Sequence, residues 1–363
     1  SAFDTLIFYI HNAPRGADRM TALLMINQLS RETLAKEASE FARDSLSQLP
    51  DPYAPAHGKA GYALVLARLD GVEAALAYLE EDPSLGSPLS APALLVWARL
   101  KQGVDQVDEA RSRIEDALTD TPDSFELKTV LASVYLSDPE FAERAESLLE
   151  EAIAQNPDYM PSRLSRIEFL SGREGREEEI EVEWTQAARI DPKDPTFGYE
   201  AAMVLMRMGK EEEALDRLHA HLETFPWYGD SAMEIADRKN RTHDMNPETL
   251  RLARLAAEFG FRDRMRSREI LGQVRLARGE AKEAEEVFLS SIQLDPTRPG
   301  SHYHLGLALE GQGRGAEAMK KFKYSLELGD FAQAEDAQNR VMIHEKRAES
   351  SSSPIDDNKA ETE

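Results

Sequence analysis

Leu271-Gly272-Gln273-Val274-Arg275-Leu276-Ala277-Arg278-Gly279-Glu280-Ala281-Lys282-Glu283-Ala284-Glu285-Glu286-Val287-Phe288 decides the fold, because the chain repeats its pattern. At an offset of 34 residues, Leu305-Gly306 replaces Leu271-Gly272, Gly313 replaces Gly279, Ala318 replaces Ala284 and Phe322 replaces Phe288. Agreement of these positions on one offset signals stacked repeating units rather than a single globular core. Proline keeps a similar interval: Pro122, Pro157, Pro192, Pro226 and Pro296 are spaced by 35, 35, 34 and 70, the last gap being two units.

Inside a unit the spacing predicts two helices. Leu127, Val130, Leu131 and Val134 recur at helical intervals, Ser137-Asp138-Pro139 breaks them, and Ala142, Ala145, Leu148, Leu149 and Ala152 build a second stripe. Asn156-Pro157, Asp191-Pro192, Asp295-Pro296 and Thr121-Pro122 close units, since proline cannot continue a helix and restrains the residue before it. Gly175, Gly209, Gly279 and Gly313 fall at the turn between the two helices, where glycine takes positive φ cheaply.

These residues resemble the tetratricopeptide repeat, a helix–turn–helix of 34 residues. Leu271, Gly272, Ala284, Phe288 and Pro296 match its pattern, as do Leu305, Gly306, Ala318 and Phe322. Other units keep the small residue and bulky partner of the second helix: Ala110 with Ile114, Ala145 with Leu149, Ala214 with Leu218. Trp97 and Trp184 depart from the family's tryptophan position, and Lys101, Ser171 and Arg275 replace its first-helix tyrosine. The resemblance implies an all-α, right-handed α-solenoid of stacked antiparallel helix pairs. We expect about nine units, near 18–49, 57–83, 91–122, 126–157, 161–192, 195–226, 229–260, 265–296 and 299–330, with a short first helix in the seventh. Residues 1–17 form a terminal helix or cap, 331–347 a capping helix over the last open face, and 348–363 a disordered polar tail.

Composition excludes several classes. Lys plus Arg total 43 against 67 Asp plus Glu, a net charge of −24, which is the wrong sign for phosphate binding, so no nucleic acid is expected. The absence of cysteine removes disulfides, thiolate metal sites and cysteine nucleophiles. Length alone, at ~150 residues per domain, allows two or three domains, which the repeat replaces with one quasi-linear array. No apolar run approaches the ~20 residues that span a bilayer. The chain is richer in arginine than lysine, which fits a bacterial source loosely.

The residues give little to catalysis. His219 with His221, and His302 with His304, stand two apart, so each pair points to different helix faces and reads as surface or groove histidine, not metal ligand. Gly311-Gln312-Gly313-Arg314-Gly315 lacks the Lys-Ser/Thr of a phosphate loop and follows a helix, and Glu177-Glu178-Glu179 suits a helix start. No enzyme, cofactor or metal is expected.

Binding is the expected function. The resemblance implies that first helices line a concave wall. Its register carried onto this chain places there Leu95, Arg99, Gln102, Leu127, Val130, Val134, Ser165, Phe169, Thr196, Tyr199, Met203, Met206, Glu269, Gln273, Leu276, Tyr303, Leu307 and Glu310. Phe169, Tyr199, Met203, Met206 and Tyr303 are the candidate contacts for a protein or peptide with hydrophobic anchors; the other reading makes Phe169, Met203 and Met206 packing between units. Leu95 with Arg99, Val130 with Val134, Ser165 with Phe169 and Tyr199 with Met203 occupy the places where chaperone-binding members carry Lys and Asn. That carboxylate clamp is therefore not expected. Arg262, Arg264, Arg266, Arg268, Arg275 and Arg278 form a basic cluster, of which the first four are the candidate contacts for an anion or acidic partner; the other reading is internal pairing with neighbouring acids. Phe3, Leu6, Ile7 and Ile10 share a helical face that either caps the first unit or docks on a partner or membrane surface. The expected roles are an interaction scaffold; a subunit of a larger envelope, secretion or other membrane-associated complex; or an accessory subunit of an enzyme. The compartment, cytoplasm or periplasm, stays open, because a segment before Ser1 can have been removed.

Overall fold

The computed structural model describes residues 59–61, 63, 64, 66, 67, 70–136, 138–260 and 262–352. The candidate terminal helix through Ile10, the 18–49 unit and residues 353–363 lie outside the described residues. Two compact units divide the chain, Ser1–Val204 and Leu205–Glu363.

Helices follow one another with short breaks. In the first unit they are α1 (Val72–Glu80), α2 (Ala91–Gly103), α3 (Val107–Asp120), α4 (Phe125–Tyr135), α5 (Ala142–Gln155), α6 (Met160–Ser171), α7 (Glu177–Ile190) and α8 (Pro195–Arg207), the last crossing the division. The second unit continues with α9 (Glu211–Thr224), α10 (Gly229–Arg241), α11 (Pro247–Phe259), α12 (Arg264–Ala277), α13 (Ala281–Leu294), α14 (Pro299–Gly311), α15 (Gly315–Leu328) and α16 (Ala334–Ser352). Each pair within a repeat packs together: α2 on α3, α4 on α5, α6 on α7, α10 on α11, α12 on α13 and α14 on α15. First helices also pack on the next first helix, as α2 on α4, α4 on α6, α10 on α12 and α12 on α14. The fold is all-α, built of stacked helix pairs.

Local chemistry sets the boundaries. Ser124, Asn246 and Asp263 cap α4, α11 and α12 by accepting the backbone N–H of Leu127, Thr249 and Arg266. The four turn glycines all take positive φ, between 74° and 78°. The first helix of the seventh repeat is not short. α10 is 13 residues long, because Asn246-Pro247 starts α11 instead of interrupting its predecessor.

The repeated residues meet in the core. Ala110, Ile114, Ala145, Leu149, Ala214, Leu218, Ala284, Phe288, Ala318 and Phe322 are all fully buried. A Cβ on Gly272 would stand 2.4 Å from the Phe288 ring, and one on Gly306 2.5 Å from the Phe322 ring. The glycine of each first helix thus leaves room for the phenylalanine of its second. α16 closes the series: Ala337 and Val341 join Phe322, Tyr303 and Leu305 in one cluster.

Candidate interaction surface

First helices are joined to their successors by polar side chains one repeat apart. In the first unit, Thr129 and Ser162 hydroxyls lie 2.6 Å apart, Ser133 and Ser165 2.9 Å, and Gln102 Nε2 donates to the Val134 carbonyl at 3.1 Å. In the second unit, Arg266 forks onto both Glu234 oxygens at 2.7 and 3.0 Å and reaches Asp237 at 2.9 Å. Glu269 accepts from Arg298 at 2.9 Å and Ser301 at 3.0 Å. Asn240 donates to Gln273 at 2.8 Å, and Gln273 Nε2 lies 3.2 Å from His304 Nε2. Arg340 and His344 both meet Glu310. Sequence reading missed these seams, though their signal was present: polar residues recurring near the repeat offset.

The apolar candidates separate by burial. Phe169 is buried, its carbonyl accepting from Arg173, whose guanidinium lies 3.5 Å from the ring centroid. Tyr199 is buried, and Tyr303 is buried between Phe322 and Phe331, each ring centroid 5.8 Å away, with its hydroxyl donating to Asp336 at 2.6 Å. Met203 and Met206 are only half-buried on α8 and keep surface open to a partner.

Electrostatics follow the burial. Loss of solvent and the bond to Asp336 push Tyr303 up to about 12. Burial pushes Glu269 up, against the pull of Arg298 and Ser301. Of the four histidines read as surface or groove groups, His219 is exposed and the other three are not. His221, His302 and His304 are buried: His221 meets Tyr228 and Ser231 at the start of the next repeat, His302 packs on Tyr324 of its own repeat, and His304 stacks on Phe288 of the preceding one. Burial holds His304 down to about 4 and lowers His302, whose Nε2 lies 2.9 Å from the Pro296 carbonyl oxygen. His221 Nδ1 lies 2.9 Å from the Ser231 hydroxyl. Among the described residues, no group of three or more histidines and carboxylates is placed to hold a metal ion.

The basic cluster divides too. Arg266 is paired as above, Arg275 and Arg278 both meet Glu280, and Arg262 approaches Asp230 at 4.0 Å. Arg264 is exposed, and Arg268 Nη1 donates to the Arg264 carbonyl at 3.2 Å. No helix among the described residues is long and apolar enough to cross a membrane.

Residues 95–160, covering α2 to α5 and the loop after them, match the family model described as tetratricopeptide repeat. A stretch of 98 residues is 31% identical to anaphase-promoting complex subunit 7 of Mus musculus, covering 27% of this chain and 17% of that protein. Among solved structures, pilF of Pseudomonas aeruginosa aligns with a TM-score of 0.44 and 18% identity over 57% of this chain and 92% of that one. MamA of Desulfovibrio magneticus gives 0.40 and 18% over 47% and 94%. A thermophilic TPR protein of Thermus thermophilus gives 0.36 and 24% over 50% and 97%.

Proposed function

We propose, from the premise that this chain is a tetratricopeptide-repeat protein, that it works as a non-catalytic scaffold holding a segment of a partner protein against its first helices. The seams support this reading. Side chains tied from one first helix to the next are held in place before a partner arrives, so less ordering entropy is lost on binding. Methionine at the open positions adapts to an apolar anchor, as at other binding surfaces. Peptide capture by the purified chain tests the reading. Met203→Ala with Met206→Ala should weaken a captured segment about tenfold, and unchanged capture by the double variant overturns it.

A second reading, a subunit of a larger assembly, is favoured by the partial likeness to a subunit of a multiprotein complex and by exposed Leu289, Leu294 and Tyr324. It expects stable co-purification of a large partner that survives the methionine substitutions.

A further inference from the structure

Two large aromatic side chains stand exposed in the second unit: Trp227, ahead of α10, at 54% and Phe259, at the end of α11, at 49%. Two glycines bring their backbones together. A Cβ on Gly229 would lie 2.2 Å from the Gly260 nitrogen and 2.4 Å from the Phe259 carbonyl carbon, so the start of α10 rests directly on the end of α11. Buried Asp230 fastens the contact by accepting the Arg262 backbone N–H at 3.3 Å. The start of α12 follows at once, carrying Arg264 and Arg268 one turn apart. Because Arg268 donates to the Arg264 carbonyl, its guanidinium lies back along that first turn.

Arg264 and Arg268 make no ion pair among the described residues, whereas Arg266, Arg275, Arg278 and Arg298 all do. Like charges one turn apart, at the positive end of a helix, cost stability. A chain with 67 acids and 43 bases does not lack carboxylates to offset that cost. Exposed Trp and Phe flanked by such arginines are the side chains that dominate protein interfaces.

We propose that this edge, Trp227 and Phe259 bordered by Arg264 and Arg268, docks an acidic segment of a partner protein that carries a bulky apolar side chain. The apolar anchor covers the two aromatics, and its flanking carboxylates take the guanidinium forks. Charge favours a narrow segment over an anionic membrane. With −24 on the chain, a broad anionic surface is repelled over its whole area, while a peptide meets chiefly the local arginines within the ~8 Å screening length. The edge uses none of the residues assigned to the first-helix site, so the two readings fail separately.

Fluorescence anisotropy on the full chain tests it, with a fluorescein-labelled peptide Glu-Glu-Phe-Glu-Asp-Leu-Glu-Glu as the probe. Controls are its lysine-for-acid analogue, its alanine-for-apolar analogue and phosphatidylglycerol vesicles. The acidic probe should bind and the analogues should bind at least tenfold more weakly. Trp227→Ala, or Arg264→Ala with Arg268→Ala, should weaken the probe about tenfold, and Met203→Ala with Met206→Ala should leave it unchanged. Arg264→Glu with Arg268→Glu should transfer preference to the lysine analogue. Trp227 and Arg264 are exposed and Arg268 is half-buried, so circular dichroism of the edge variants should match the parent chain. No binding of the acidic probe, equal binding by the edge variants, or binding of vesicles in its place overturns the proposal.

Discussion

Gly306 and Phe322 show how finely a single position is set. A methyl group at Gly306 would meet the Phe322 ring at 2.5 Å, and both sit where neighbouring repeats leave no slack. Gly306→Ala should therefore lower stability by about 1–3 kcal/mol in urea unfolding, and Phe322→Leu in the same chain should recover part of the loss. His304 sets a pH dependence. Asn240 donates to Gln273, which leaves the Gln273 amide N–H to donate to His304, so the ring must accept and be neutral. The unfolded imidazole takes a proton near 6.5, the buried one only near 4, so between these values the unfolded chain holds more protons. Stability from this group is present above 6.5 and is lost as pH falls toward 4. Glu269, raised by burial, acts with the opposite sign. Comparing denaturation at pH 7 and pH 5 should show about 2 kcal/mol of loss from His304, absent in His304→Gln. These histidines could not be placed from sequence. Periodicity says which face a residue occupies, but the depth of cover depends on the size of side chains a repeat away.

At the scale of helices, the repeat was legible because chemistry and offset agree. Ala284 with Phe288, and Ala318 with Phe322, name a small and a bulky residue on one face, and the structure buries all four completely. The candidate binding positions were less legible for the same reason. Phe169 and Tyr303 have the residue type of an anchor, yet an anchor and a core residue of a first helix differ only in what the surrounding turns and helices bring. Arg173 covers one, and Phe331 with α16 covers the other. α16 carries a prediction of its own. A chain ending at Gly329 loses Ala337 and Val341 from the last cluster and opens Phe322 and Tyr303 to water. It should unfold at lower urea by roughly 3 kcal/mol and bind more of a hydrophobic dye than the full chain does.

For the whole molecule, charge and ion pairs pull in opposite directions with salt. Exposed pairs are each worth ~0–1 kcal/mol and weaken on screening, while the excess of 67 acids over 43 bases repels throughout the chain. The many-body repulsion outweighs isolated pairs, so the urea midpoint should rise from low to high sodium chloride. A falling midpoint would assign more of the stability to the pairs. The seams between first helices carry a last consequence. The joints mix chemistries: hydroxyl to hydroxyl at Thr129 and Ser162, amide to imidazole at Gln273 and His304, and guanidinium to carboxylate at Arg266 and Glu234 and again at Arg298 and Glu269. The joints are therefore keyed like the wards of different locks. A unit excised and spliced elsewhere would bring its helices but meet a donor where it needs an acceptor. The array can be lengthened only by copying a joint together with its unit, and the order of its parts is written into their edges.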